Sequence, residues 1–145
     1  MIQRFTFGCP LPTESVVLLV EPAAAAVPYL TAEPDGSWSF SLAEDAVVYG
    51  LGEMPRGINK RGWHYVTDNT DESHHGENRL SYYGAHNFLL IDGGAGRSVF
   101  GVFVDFPGKV FYDIGYTRHD RLTFRTEEPD YDLYILTGDS PNAVC

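Results

Sequence analysis

The chain has 145 residues, with 20 Asp and Glu against 10 Lys and Arg and a net charge of −10. So acidic a surface repels phosphate backbones and excludes nucleic acid as a natural partner, and no stretch approaches the roughly 20 apolar residues of a membrane span. The length suits one domain with a core that needs no staples, and the two cysteines, Cys9 and Cys145, make neither a disulfide framework nor a zinc pattern.

Aromatic residues reach 14%, and 15 Gly and 9 Pro punctuate the chain. Many aromatics between many turns point to β structure. Residues 2–7 and 15–20 read as two early strands. The second is apolar over residues 16–20 but short, and it lies between Glu14 and Glu21, so it is a strand rather than a signal peptide. With no leader and few cysteines, the expected address is the reducing cytoplasm of a bacterium. Residues 21–28 form a small-residue connection. Trp38, Phe40 and Leu42 alternate with serines as one face of a strand, and residues 47–49 run into Gly50-Leu51-Gly52-Glu53.

Residues 68–79 break this rhythm with twelve polar or glycine positions, flanked by Trp63 and Tyr65 before and Tyr82 and Tyr83 after. Long loops are commonly functional, and the aromatic flanks mark this one as anchored. Strands follow at 87–92, ending in Gly93-Gly94, and at 98–106, where Gly101 suggests a bulge in a central strand. Further strands are expected at 109–114, 122–125 and 131–135. The spacing predicts an all-β antiparallel sandwich with Trp38, Phe40, Phe88, Leu90, Val102, Val104, Leu122, Phe124, Leu133 and Ile135 largely buried. At the end, Ser140 and Pro141 are an N-cap and a first helical residue. Only four residues follow, too few for a helix to nucleate alone, so the natural chain is expected to continue.

Several segments in order resemble the N-terminal domain of glycoside hydrolase family 31, which holds α-glucosidases, isomaltases and α-xylosidases. They are Val48-Tyr49-Gly50-Leu51-Gly52-Glu53, Asn59-Lys60-Arg61-Gly62, Asn69-Thr70-Asp71, Tyr83-Gly84-Ala85-His86-Asn87-Phe88, Val99-Phe100-Gly101-Val102-Phe103-Val104-Asp105, and the ending from Asp130 to Pro141. The resemblance covers about residues 45–145, and the segments 57–62 and 84–88 look most like bacterial α-glucosidases with a short N-terminal domain. It implies a galactose-mutarotase-like sandwich over residues 1–145. It also implies a retaining α-glucosidase whose two catalytic carboxylates lie on a (β/α)8 barrel after residue 145, so this segment alone is expected to be inactive.

By the same resemblance, Asp71 reaches over the barrel mouth and binds the sugar on the leaving-group side of an α-glucoside oligosaccharide. Asp68, Glu72 and Glu77 read as solvated. His74 and His75, adjacent on an extended segment, point to opposite faces and do not share a metal. His86 and Glu53 read as structural hydrogen-bonding groups. No cofactor is implied. An apolar face is expected where the barrel docks, with self-association through it. The alternatives are a free-standing carbohydrate-binding module or a mutarotase-like epimerase. The latter needs a facing acid and base, and no pair stands out in the sequence.

Overall fold

In the computed structural model, residues 1–11, 22–24, 27, 29–71, 73–94 and 97–145 are described. The strand expected at 15–20 and Glu72 lie outside them. The alternating segments form strands β1 (Ile2–Phe7), β2 (Leu30–Ala32), β3 (Trp38–Ser41), β4 (Val47–Gly52), β5 (Trp63–Thr67), β6 (Ala85–Asp92), β7 (Val99–Asp105), β8 (Val110–Ile114), β9 (Arg121–Thr126) and β10 (Tyr131–Gly138), then a single helical turn, α1 (Pro141–Val144). They make two five-stranded antiparallel sheets, β1-β10-β7-β6-β4 and β2-β3-β9-β8-β5. One face of each sheet meets the other, as a galactose-mutarotase-like sandwich requires.

The core lies between the sheets. Val48, Leu89, Ile91, Val102, Val104, Leu133 and Ile135 come from the first, and Phe40, Tyr65, Val110, Ile114, Leu122 and Phe124 from the second. Burying each such side chain contributes about 1.5–3 kcal/mol, which is how so acidic a chain holds together. Of the residues expected inside, Trp38 and Phe88 are only half-buried. Trp38 sits at the sandwich margin against Phe7, with ring centres 5.2 Å apart. Phe88 points to the outer face of the first sheet, because it is paired with Phe103 one position out of phase with the core row Leu89–Val102.

Gly101 makes no bulge, since its strand pairs in unbroken register on both sides. A Cβ there would meet Val144 at 2.9 Å and Phe88 at 3.0 Å. The glycine therefore makes room for α1 on the outer face of the sheet. Val144, Leu90 and Tyr134 are buried there but outside the main core, which is how one turn of helix persists despite its nucleation cost. Ser140 has the extended backbone of an N-cap but makes no side-chain capping bond.

The bulge falls instead at Gly50-Leu51-Gly52, where the register between β4 and β6 shifts. Leu51 is fully buried with φ +64°, and a Cβ on Gly52 would meet the Gly84 carbonyl oxygen at 2.3 Å in a backbone with φ +67°. Gly52→Ala is expected to lower unfolding free energy by about 2–4 kcal/mol, through a positive φ and a backbone clash together. Urea titration of the two chains checks this, and equal midpoints would refute it.

Candidate functional site

The loop between β5 and β6 leaves and rejoins the sandwich at one place. At its base the Val66 amide donates to the Leu80 carbonyl (3.2 Å) and the Asp68 amide to Ser81 Oγ (3.2 Å). Lys109 Nζ lies 2.9 Å from Asp68 Oδ2. Asp68 is thus an anchored acid, not the solvated one its sequence context suggests. The salt bridge raises the Lys109 ammonium above its ordinary value, chiefly through the Asp68 hydrogen bond.

The far limb is pinned by aromatics. Tyr82 Oη donates to the Gly76 carbonyl (2.9 Å), as does the Arg79 amide (3.0 Å). The His75 ring stacks on Tyr82 with centres 4.8 Å apart and meets Tyr83 edge-on at 5.4 Å. His74 instead contacts Ser73 Oγ (3.0 Å). The two histidines therefore diverge, and His75, though exposed, is part of the anchor. Between the pinned limbs stands Asp71, exposed.

At the foot of the loop opens a cavity of about 470 Å3 lined by Asp68, Asn69, His86, Asn87, Asp105 and Lys109, among others. Asn87 is its fixed wall. Its Oδ1 accepts from Thr67 Oγ1 and from Tyr112 Oη (3.4 Å), and its Nδ2 donates to the Phe106 carbonyl (3.2 Å). Burial pushes the Tyr112 phenol far above its ordinary range, so it stays a neutral donor. His86 differs from its expected role. Its ring packs where a Gly52 Cβ would stand, and among the described residues it makes no hydrogen bond. Glu53 ties its turn by backbone alone, its amide donating to the Gly84 carbonyl (3.0 Å).

Asp105 lies directly across from Asp132 on the paired strands. Asp132 is buried and satisfied, accepting from Arg4 Nη2 (2.6 Å) and Thr6 Oγ1 (2.6 Å). Among the described residues Asp105 has no such donors. Burial first, and the Asp132 charge second, raise its pKa above the ordinary 3.8, against a smaller pull from Arg4. A carboxyl raised on folding favours the folded state below its unfolded pKa, and that advantage is lost as pH rises through the folded value. Asp105→Asn should therefore unfold at higher denaturant than the parent near neutral pH, with the difference vanishing below about pH 4. Urea midpoints at both pH values check this.

The arrangement suits recognition of hydroxyl groups. It holds carboxylates and amides in fixed directions around an open cavity, at the foot of the loop that carries the exposed Asp71. A glycosidic cleavage site needs two carboxyls facing each other across the bond. Asp105 and Asp132 face each other on paired strands, with Asp132 committed to Arg4 and Thr6. The sequence singled out Asp71 but missed Asn87, Asp105 and Lys109. A strand-end Asp and a Lys after a Pro-Gly turn carry no signal until the strands are paired.

Among the described residues no helix is long and apolar enough to cross a membrane. Residues 24–113 match the family model of the glycosyl hydrolase 31 N-terminal galactose mutarotase-like domain. Alpha-xylosidase XylQ of Lactiplantibacillus pentosus is 32% identical over 104 residues, covering 72% of this chain and 13% of that protein. Among solved structures, the cycloalternan-degrading enzyme of Trueperella pyogenes, in complex with cycloalternan, shares the fold at TM-score 0.65 and 20% identity over 74% of this chain and 15% of its own. The GH31 dextranase of Flavobacterium johnsoniae, complexed with glucose, does so at 0.63 and 23% over 80% and 14%. This chain thus spans about an eighth to a sixth of the length of these relatives. With the family model matching well over half of its residues, the chain belongs to the glycosyl hydrolase 31 N-terminal galactose mutarotase-like domains.

Proposed function

We propose that this chain is the N-terminal accessory domain of a retaining α-glucosidase of the cytoplasm, and that its 68–79 loop reaches the leaving-group side of the active site, where Asp71 binds the departing sugar. The single observation that carries this is the loop itself. Both limbs are pinned to the sandwich, while the Asp71 carboxylate stands exposed between them with no hydrogen bond among the described residues. A carboxylate so presented can accept two sugar hydroxyls in fixed directions.

The side that carries the loop also carries exposed Leu80 and Tyr83. In this reading they face the catalytic barrel, and in the isolated domain they are the surface through which copies associate. The reducing address fits Cys9 and Cys145, both free and exposed. α-Xylosidase activity is the alternative, favoured by the named activity of the relative at 32% identity. The test is the longer protein and its Asp71→Ala variant, assayed on α-glucosides and α-xylosides. A parent with no α-glycosidase activity overturns the enzyme reading, and a variant with parental kinetics removes Asp71.

A further inference from the structure

The second sheet turns its apolar residues inward and leaves a polar row on its outer face. Ser39, Thr123, Asp113 and His64 are paired neighbours along this row, across β3, β9, β8 and β5. Between the turn after β2 and the turn before β9 opens a cavity of about 390 Å3, lined by Glu33, Asp35, Asp113, Thr117, Arg118 and Thr123, among others. None of these residues lines the cavity at the foot of the 68–79 loop. The acceptors are fixed in place. Glu33 takes Arg121 and the Ser39 hydroxyl (2.6 Å), both on Oε1. Asp35 takes the Ser37 amide (3.0 Å) and hydroxyl (2.6 Å), both on Oδ1. Each carboxylate is thus held by one oxygen and keeps the accepting capacity of the other. The donors are idle. Arg118 meets Asp120 at 3.7 Å, too long for a hydrogen bond, and among the described residues the hydroxyls of Thr117 and Thr123 make none. Beside Thr117 the Tyr116 ring stands 57% exposed, held by its amide on Asp113 (2.9 Å) and by the His64 ring, 4.3 Å away. A ring fixed in solvent offers an apolar face at little further entropic cost.

We propose that this cavity binds a neutral saccharide, at a site separate from the 68–79 loop. The remaining oxygens of Glu33 and Asp35 accept sugar hydroxyls, Arg118 and Thr123 donate to sugar oxygens, and the Tyr116 ring packs against the C–H face of the sugar. A hydroxyl both donates and accepts, so a ligand of many hydroxyls suits a wall that alternates fixed acceptors with idle donors. An ion of either sign suits it less, because carboxylates and guanidinium groups line the cavity together. Asp113 stands four residues beyond Lys109, about 13 Å along an extended strand, so a sugar held here lies apart from the foot of the loop. Such a site would keep an oligosaccharide near a catalytic domain and raise its effective concentration. That purpose rests on the enzyme reading above, whereas the binding itself does not.

The test is an NMR titration of this chain with maltose and with isomaltose, read at the amides of Ser37, Thr117 and Thr123. Saturable shifts are expected with at least one of them, at a Kd of about 1–10 mM, as suits a small ligand in an open cavity. Tyr116→Ala and Arg118→Ala change exposed side chains and leave the core untouched, and each should weaken binding about tenfold. Asp71→Ala should leave it unchanged. No saturable shift with either sugar, or shifts that both substitutions leave intact, would overturn the site. Shifts abolished by Asp71→Ala would place the sugar at the loop and overturn it equally. Failure of this site therefore shows in the titration, and failure of the Asp71 reading shows in the kinetics of the longer enzyme.

Discussion

Asp71→Ala, made in the longer enzyme proposed to contain this domain, should lower kcat/KM on a disaccharide by roughly ten- to a hundredfold. Losing a charge-assisted hydrogen bond to a sugar hydroxyl forfeits about 1.5–3 kcal/mol of transition-state stabilisation. The second sugar of a disaccharide occupies the leaving-group side, where this loop is proposed to lie. An activated aryl glycoside offers no hydroxyls there, so its kcat/KM should change much less. The asymmetry separates a binding role from general damage, because a misfolded domain would depress both substrates alike. The isolated 145-residue chain should hydrolyse neither. Turnover by it would overturn the assignment of the chemistry to another domain, and equal kinetics of parent and variant on both substrates would exonerate Asp71. The stacking of His75 on Tyr82 matters here, since it fixes the limb on one side of Asp71 while Lys109 fixes the other.

Arg61→Ala should be among the most destabilising changes outside the hydrophobic core. Its Nη1 donates to the carbonyls of Ala43 (2.6 Å), Glu44 (2.9 Å) and Ala46 (3.0 Å), and its Nη2 donates to the His119 carbonyl (2.8 Å). One planar fork thus joins the turn before β4 to the turn between β8 and β9. Removing it takes a charged donor from four carbonyls in two turns, of which Ala43 keeps the Ala46 amide, and a hydrogen bond to a charged group contributes about 1.5–3 kcal/mol. With partial replacement by water, a net loss of about 2–4 kcal/mol is expected. Arg61→Lys should recover little, because an ammonium cannot span both turns with a fixed geometry. Chemical denaturation of the three chains checks this, and a Lys variant as stable as the parent would refute the fork argument. The neighbouring residues of the same segment share the task. Asn59 Oδ1 accepts from the Val48 amide (3.2 Å) and the Arg61 amide (3.1 Å), so the Asn-Lys-Arg run works as a clasp around β4.

Most strands were legible in the sequence because burying one face of a sheet imposes a period of two, but the three-residue β2 falls where no strand was expected. Phe40, Val102, Val104, Leu122, Phe124, Leu133 and Ile135 all lie in the core as that alternation requires. The turn at Gly93-Gly94 was equally plain, since local backbone preference sets it. The 68–79 loop announced itself by having nothing apolar to bury. What alternation could not decide was which of two apolar rows on one strand faces the core when both are apolar. Phe88 and Leu90 satisfy the pattern, yet they lie on the outer face, where Val144 of α1 sits over Gly101, the residue paired with Leu90. Nor could it place the bulge, because Gly50, Gly52 and Gly101 are the same residue serving different neighbours. Gly50 answers a carbonyl on the adjacent strand, Gly52 the Gly84 carbonyl just before that strand, and Gly101 a helix about forty positions later. The site divides in the same way. Asp71 could be named from its loop and its motif, which are local. The meeting of Asp105 with Asp132 and of Lys109 with Asp68 depends on strand register and sheet packing. Such pairings exist only after the chain has closed, because contact between distant residues is fixed by the backbone geometry of the whole sandwich and not by their neighbours in sequence.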